Sequence, residues 1–240
     1  MAVKAIVLGA GKGTRMKSDL AKVLHPVAGR PMLHWVLDAV AATGCDETVV
    51  VVGHQAEDVQ SILPVDVRSA LQPEQLGTGH ATSVGLGGLD VERGDNIIVI
   101  PGDMPLVRGE TLNALIALHQ QSGAAATLLT VDPGPTAFGR VIRTDGSVTA
   151  IVEARDATPE QFAVSEVNTS VYVFEGGLLS SALDRITTEN AQGEYYLTDV
   201  IEILVGDGCR IEAHSAEAEE GLGVNSIDQL DGVEEILLGR

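Results

Sequence analysis

The sequence predicts an α/β fold in which a mainly parallel β-sheet is covered by helices on both faces. Short apolar, β-branched runs alternate along the chain with helical patterns, which is typical of repeated strand–helix units. These runs are apolar at nearly every residue, as expected for strands that are buried on both sides. The chain has 240 residues, 45% of them hydrophobic, which is enough for a substantial core.

The individual elements follow from these patterns. Five apolar runs are predicted to be strands, at 3–8, 48–52, 96–100, 124–131 and 168–174. Helices are predicted at 32–43, 55–63, 78–88, 110–121, about 196–205 and about 226–238. The segment 139–153 alternates around Asp145-Gly146, so we expect an antiparallel hairpin inserted near one edge of the sheet. No linker or repeat divides the sequence, and we expect one domain over residues 1–240.

The composition excludes several classes of protein. A net charge of −19 argues against nucleic acid as a partner. No apolar run is long enough to span a membrane, and the N-terminal residues lack the pattern of a secretory signal. The two cysteines, Cys45 and Cys209, are far apart, which argues against a disulfide scaffold or a zinc site. We therefore expect a cytoplasmic protein with neither a membrane nor a nucleic-acid partner.

The stretch IVLGAGKGTRM, residues 6–16, predicts a phosphate-binding loop, because glycines expose backbone N–H groups that bind anions. It is not a Walker A loop, and Thr14 stands where a dinucleotide fingerprint would have its third glycine. Residues 1–30 hold six of the 15 basic residues and one of the 34 acidic ones. This bias indicates a small polyanionic ligand. The six are Lys4, Lys12, Arg15, Lys17, Lys22 and Arg30, of which we expect Lys4 and Arg30 merely to be solvated.

Other polar residues follow predicted strands, where open α/β sheets bind ligands. Asp103, in PGDMPL, suits Mg²⁺, although it could instead cap the next helix. Asn168 and Asn225 also lie at element ends, and taken singly they are more simply helix N-caps. In LQPEQLGTGHA, Gln72 offers the donor and acceptor that a pyrimidine edge requires, and we expect His80 to be a packed or capping histidine.

Together these strings resemble a known family. LGAGKGTRMKSDLAKVLHPVAGRPML is similar to the L-x-x-G-x-G-T-R-M…P-K-x-L signature of sugar-1-phosphate nucleotidyltransferases. GDMPL, FGRV, IVEARDAT, EVNTSVYVF, NAQGEYYLTDVI and GVNSIDQL follow in order to about residue 230, and resemble the uridyltransferases of that family that act on N-acetylglucosamine 1-phosphate. The resemblance implies a Rossmann-like, GT-A-like nucleotidyltransferase fold.

The resemblance also implies roles for particular residues. Arg15, Lys22 and Asp103 would be catalytic, and Asp103 and Asn225 would hold Mg²⁺ as the cofactor. The nucleotide would contact the opening loop and the uracil-reading segment, at Leu8, Gly9, Ala10, Gly11, Gly13, Gln72, Gly77 and Thr78. Gly102 completes the substrate-binding set. The sugar would contact Gly139, Glu153, Asn168 and Thr169.

The reaction implied is the conversion of UTP and N-acetylglucosamine 1-phosphate to UDP-N-acetylglucosamine and pyrophosphate, a step toward peptidoglycan and lipopolysaccharide. Two alternatives stay open: another sugar 1-phosphate such as glucose 1-phosphate, and a non-catalytic nucleotide-sugar sensor.

Ala21 replaces the signature proline, and Pro101 and Arg155 also depart from the family pattern. Bifunctional relatives continue into a left-handed β-helix of hexapeptide repeats with acetyltransferase activity. This sequence contains no such repeats, so we expect no acetyltransferase half and a monomer or weak dimer.

Overall fold

The computed structural model describes residues 1–11, 13–16, 18–132, 134 and 137–239. Lys12 and Lys17 of the basic N-terminal segment lie outside the described residues.

The described chain alternates strands and helices. The strands are β1 (Val3–Leu8), β2 (Pro26–Val27), β3 (Arg30–Pro31), β4 (Glu47–Val52), β5 (Val67–Leu71), β6 (Asn96–Pro101), β7 (Ala126–Val131), β8 (Arg140–Thr144), β9 (Ser147–Val152), β10 (Val167–Glu175) and β11 (Ile211–Ser215). The α-helices are α1 (Met32–Ala41), α2 (Ala56–Ser61), α3 (Thr78–Gly87), α4 (Gly109–Ser122), α5 (Pro159–Phe162), α6 (Gly176–Leu183), α7 (Asp199–Gly206) and α8 (Ile227–Gly239). Short 3₁₀ helices occupy Thr14–Met16, Lys22–Leu24 and Ala218–Gly221.

The main sheet is mixed and mostly parallel, which confirms the predicted fold class. Its strand order is β11-β7-β10-β6-β1-β4-β5. The neighbours β6, β1, β4 and β5 are parallel, and β11 is parallel to β7. Strand β10 runs antiparallel to both β6 and β7.

Successive residues of β1 face two different hydrophobic clusters. Ile6 packs into a cluster that includes residues of α3, α6 and α7, and Ala5 and Val7 pack into one that includes residues of α1 and α4. This alternation places helices on both faces of the sheet. A third cluster, which includes Met16, Val27 and Val233, fastens α8 against the β2–β3 ribbon beside the opening loop.

Strands β5 and β11 and helix α6 do not appear among the predicted elements. Both strands are at the edges of the sheet, and their sequences, VRSAL and IEAHS, mix polar with apolar residues. An edge strand is partly exposed, so it lacks the continuous apolar run used to find the central strands. Helix α6 begins with two glycines, which weaken the helical signal.

The hairpin is formed by β8 and β9 around Asp145 and Gly146, whose φ angles of 50° and 82° suit a tight hairpin turn. Its predicted position near an edge is wrong. Strand β6 pairs with β10 only at Tyr172–Glu175, which leaves one side of the start of β10 open. The hairpin occupies that side, where Val167 pairs with Arg140.

The reversed direction of β10 decides where the site forms. Because β10 is antiparallel to β6, its first residues lie at the carboxyl ends of the parallel strands. The backbone bulges between Asn168 and Tyr172, and Ser170 has a φ of 64°. The carboxyl ends of β1 and β6 and the start of β10 therefore meet at one edge of the sheet.

None of the helices formed by described residues is both long and apolar enough to cross a membrane.

Candidate active site

A cavity of about 650 Å³ opens at this edge of the sheet. Fourteen of the residues expected in the site line it, and they come from elements far apart in the sequence: Leu8, Gly9, Ala10, Gly11, Gly13, Arg15, Lys22, Gln72, Gly77, Thr78, Asp103, Glu153, Thr169 and Asn225. The cavity therefore brings together the phosphate loop, the proposed base-reading segment and part of the proposed sugar site.

Two basic and two oxygen-bearing side chains meet on one wall. Lys22 forms an ion pair with Asp103, and its Nζ also lies 3.1 Å from Asn225 Oδ1. Arg15 Nη2 donates to the same Asn225 Oδ1 at 2.8 Å. Lys22 belongs to a 3₁₀ helix, Asp103 follows β6, and Asn225 precedes α8, so only the tertiary fold assembles this group.

The capping alternatives for these residues are wrong. Helix α4 begins at Gly109, and Asp103 instead pairs with Lys22. Before α8, the hydroxyl of Ser226 accepts the Gln229 N–H, so Ser226 occupies the capping role considered for Asn225. Asn168 lies within β10 and is followed by no helix.

The oxygens of Asp103 and Asn225 fit a divalent cation. Both converge on one positive centre, the Lys22 ammonium, so they can share a single small cation. Among the described residues, no three His, Cys, Asp or Glu side chains cluster in a way that would hold a metal. One carboxylate and one amide oxygen suit Mg²⁺, which keeps waters and substrate phosphate oxygens as its other ligands.

Helix α8 holds Asn225 in place. The Asn225 N–H donates to Gln229 Oε1 at 2.7 Å, one turn into the helix. Farther along α8, Glu234 Oε1 accepts the Ala28 N–H at 2.8 Å, where Ala28 has a φ of 48° in the β2–β3 turn. The end of the chain is thus tied to the segment that follows Lys22.

The glycines of the opening loop serve different purposes. The N–H of Gly9 donates to Val51 O at 2.9 Å, where the strand ends close on each other. Gly13 has a φ of +58°, and a Cβ there would lie 2.8 Å from Lys22 Cβ. At Gly11, a Cβ would meet nothing within 4 Å, so this position faces open space. Gly11 is therefore the glycine where a ligand has room to approach the backbone.

The proposed base-reading segment, residues 71–81, is joined by hydrogen bonds to residues 192–198, which form a second wall of the cavity. Tyr195 donates its N–H to Leu76 O, and Tyr195 O accepts the Gly79 N–H, both at 2.8 Å. Thr78 Oγ1 accepts the Leu197 N–H at 3.1 Å. Gly77 has a φ of +114°, and a Cβ would lie 2.5 Å from Tyr195 O, so this close approach requires glycine.

Sequence reasoning did not single out the residues of this second wall. Gln192, Glu194, Tyr196, Leu197 and Thr198 all line the cavity. The string NAQGEYYLTDVI carries two of the three tyrosines of the chain, which was the available signal. No spacing rule assigns a role to such a segment, because contacts with residues distant in the sequence, including 76–79 and Glu153, bring it to the site.

Carboxyl groups lie beside the second wall, on Glu153, Asp156 and Asp199. Burial raises the pKa of Glu153, and the negative charges of Asp156 and Asp199 raise it further. The Thr198 hydroxyl opposes this rise by donating a hydrogen bond to Glu153 Oε1 at 3.2 Å. Burial and the charges of Glu202 and Asp156 raise the pKa of Asp199 to about 6. The cavity thus combines basic side chains suited to phosphates, Lys22 and Arg15, with carboxyl and hydroxyl groups suited to a neutral polyol, those of Glu153 and Thr198.

Three expected site residues do not line the cavity. Gly102 donates its N–H to Leu8 O at 2.9 Å, and Gly139 O accepts the Asn168 N–H at 2.9 Å. Asn168 is buried, and its Nδ2 donates to the hydroxyl of Tyr172, which does line the cavity. Its Oδ1 has no partner among the described residues. Contact of these three residues with substrate stays a prediction.

Lys4 and Arg30 do not line the cavity, but they are paired with other side chains and are not merely solvated. Lys4 is 5% exposed and forms ion pairs with Asp95 at 3.0 Å and Glu47 at 3.3 Å. Arg30 pairs with Asp38 at 2.8 Å and lies over the ring of Trp35. Of the six basic residues in the N-terminal segment, the described structure places Arg15 and Lys22 in the cavity.

Comparison with known proteins identifies the family. The family model of the MobA-like NTP transferase domain matches residues 5–192, well over half of the chain. The chain belongs to this family.

Several curated relatives are similar along almost the whole chain. Bifunctional protein GlmU of Exiguobacterium sibiricum is 48% identical over 224 residues, 92% of this chain and 50% of that protein. The protein of the same name from Alkaliphilus oremlandii is 46% identical over 243 residues, 100% of this chain and 53% of that protein. The protein of the same name from Lactococcus lactis subsp. cremoris is 50% identical over 234 residues, which are 95% of this chain and 51% of that protein. The chain spans about half the length of these relatives.

Solved structures share the fold. A UDP-glucose pyrophosphorylase complexed with UDP-glucose superposes with a TM-score of 0.81 at 15% identity, over 100% of this chain and 99% of that one. A putative glucose-1-phosphate thymidylyltransferase from Bacillus anthracis superposes with a TM-score of 0.80 at 19% identity, over 98% of this chain and 95% of that one. At such low identity these likenesses bear on the fold alone.

Proposed function

We propose that this protein transfers a uridylyl group from UTP to N-acetylglucosamine 1-phosphate in a Mg²⁺-dependent reaction, giving UDP-N-acetylglucosamine and pyrophosphate. The observation that carries the proposal is the meeting of Lys22, Arg15, Asp103 and Asn225 on the wall beside the glycine loop. Its support is the 45–50% identity to bifunctional GlmU proteins, of whose length this chain spans about half.

The chain's own residues supply position and charge. Open space at Gly11 lets phosphate oxygens approach the backbone of the loop. Lys22 and Arg15 offset the negative charge that grows as the sugar phosphate oxygen attacks the α-phosphorus in line. Asp103 and Asn225 would hold Mg²⁺, which when bound neutralises phosphate charge and aligns the reacting groups. The reaction needs no nucleophilic side chain, so orientation accounts for much of the rate.

Glu153 and the second wall are suited to bind the sugar. Thr198 and the carboxyl of Glu153 provide hydroxyl and carboxyl groups for sugar hydroxyls. Asn168, whose Oδ1 is buried with no partner among the described residues, does not line the cavity. The choice of an N-acetyl sugar over glucose therefore rests on the similarity to the bifunctional GlmU proteins.

The test is pyrophosphate release from UTP with a panel of sugar 1-phosphates. We expect N-acetylglucosamine 1-phosphate to give the largest kcat/KM and to require Mg²⁺. Faster turnover of glucose 1-phosphate would replace the proposed sugar by that alternative. Binding of UTP without turnover of any sugar phosphate would instead identify a nucleotide-sugar sensor.

A further inference from the structure

The side-chain amide of Gln72 has both of its hydrogens directed at the protein. Gln72 is 2% exposed, and its Nε2 lies 3.3 Å from Gly77 O and 3.0 Å from His80 Nδ1. A backbone carbonyl oxygen only accepts, so Gly77 O requires the amide nitrogen, not the amide oxygen, at this place. Gln72 Oε1 then remains, with no partner among the described residues.

The amide in turn determines the state of His80. Because the Gln72 nitrogen can only donate, His80 Nδ1 must accept, and the neutral ring carries its hydrogen on Nε2. His80 is packed within α3, as expected, and it also contacts the Gln72 amide. His80 lies in the first turn of α3, where the helix backbone fixes its approach to Gln72.

Gly77 completes a pair of hydrogen-bonding groups at this wall. It lines the cavity, and its N–H donates to no acceptor in the part of the chain that the structure describes. The Gln72 oxygen and the Gly77 N–H thus offer one acceptor and one donor. An imide edge, with N–H beside C=O, is complementary to such a pair, as in uracil.

We propose that His80 orients the Gln72 amide so that the base site selects uracil, whose N3 carries a hydrogen, over cytosine, whose N3 is an acceptor. His80 is then a positioning residue for base specificity. The inference rests on the proposed function for the identity of the cavity as a nucleotide site. Without His80, only the longer contact to Gly77 O opposes rotation of the amide, and a rotated amide would present a donor to N3.

Calorimetric titration of UTP and of CTP tests this without relying on turnover. We expect wild type to bind UTP more tightly, and His80→Leu to lower the UTP/CTP affinity ratio about ten-fold, as for loss of one orienting hydrogen bond. His80→Asn should keep most of the ratio, because its amide oxygen can accept at the same place. His34→Leu is the matched control, since His34 Nε2 contacts Ile62 O outside the cavity.

A purely structural role for His80 would weaken UTP and CTP binding equally and leave the ratio unchanged, which would overturn the inference. Equal binding of UTP and CTP by wild type would also overturn it. If the leucine variant does not fold, His80→Ala is measured against the same criteria. A His80-dependent ratio without uridylyl transfer would reject the proposed function alone. Transfer with an unchanged ratio would reject the inference alone.

Discussion

At the scale of single residues, Lys22 occupies the position from which a metal would contact Asp103 and Asn225. Its ammonium touches both oxygens, so in the nucleotide-free protein it competes with any cation for them. Phosphates entering beside Gly11 would give Lys22 other anionic partners and leave the two oxygens to the metal. We therefore expect Lys22 to couple nucleotide binding to metal binding.

This competition predicts opposite effects of Lys22→Ala on binding and on turnover. Mn²⁺ affinity of the nucleotide-free protein, followed by electron paramagnetic resonance, should rise about ten-fold because a like charge is removed. Turnover should fall on the order of 10²-fold because a charge that stabilises the transition state is lost. Arg30→Ala, whose partner is Asp38, serves as the control. Unchanged Mn²⁺ affinity in Lys22→Ala would contradict the competition.

Asp103 is expected to be essential in a different way. Asp103→Asn keeps the shape of the side chain but removes the one carboxylate proposed for Mg²⁺, so turnover should fall at least on the order of 10²-fold. Asp132→Asn is the matched control, because Asp132 also directly follows a sheet strand and is exposed outside the cavity. Pyrophosphate release across a range of Mg²⁺ concentrations measures both. Near-normal rates in Asp103→Asn would remove Asp103 from the site.

At the scale of secondary-structure elements, α8 acts on the site from the outside. It packs on the β2–β3 ribbon, its Glu234 holds the Ala28 N–H, and its Gln229 holds the Asn225 N–H. Asn225 is thus positioned by a helix whose other contacts lie away from the cavity.

Gln229→Ala should therefore loosen Asn225 without removing it. We expect the Mg²⁺ concentration for half-maximal rate to rise several-fold, since one orienting hydrogen bond is worth about 1 kcal/mol. The KM for the sugar phosphate, for which we propose contacts with Glu153 and Thr198, should change little. Glu235→Ala, exposed on the same helix, is the control. A change in the sugar KM with no change in Mg²⁺ dependence would show that α8 does not act through Asn225.

At the scale of the whole molecule, stability should depend on a buried histidine far from the cavity. His119 of α4 is 3% exposed, and its Nδ1 lies 3.0 Å from Thr127 Oγ1 in β7. Burial lowers the pKa of His119 to about 4, and the carboxylate of Glu175 only partly opposes this. An unfolded histidine titrates near 6.5. The unfolded chain therefore takes up this proton first, and stability is lost as pH falls from about 6.5 to about 4.

Comparison with His119→Gln isolates this effect, because glutamine can bond Thr127 but does not titrate. Between pH 6.5 and 4.5, wild type should lose on the order of 2 kcal/mol more unfolding free energy than the variant. Denaturant unfolding at a series of pH values measures the difference. Other groups, including Asp199, titrate in both proteins and cancel. Parallel stability curves for the two proteins would contradict the assignment.

The sequence by itself determined the features that depend on neighbouring residues. The central strands, the glycine loop after β1, Asp103 after β6 and the turn at Asp145-Gly146 each have a local pattern. Apolar runs mark strands buried on both sides, and glycine marks backbone that other residues cannot adopt. Arg15 and Lys22 stand in the basic N-terminal segment and Asp103 at a strand end, and the family resemblance then implied their roles in the site.

Only the tertiary structure decided which of these residues meet. Lys22 is 81 residues from Asp103 and 203 from Asn225, and no local pattern encodes such contacts. The reversal of β10, the approach of residues 192–198 and the pairing of Gln72 with His80 likewise follow from packing between distant elements. Edge strands β5 and β11 gave no signal, because partial exposure removes the apolar run. Packing between residues far apart in the sequence determined these contacts, and such packing leaves no pattern in the local sequence.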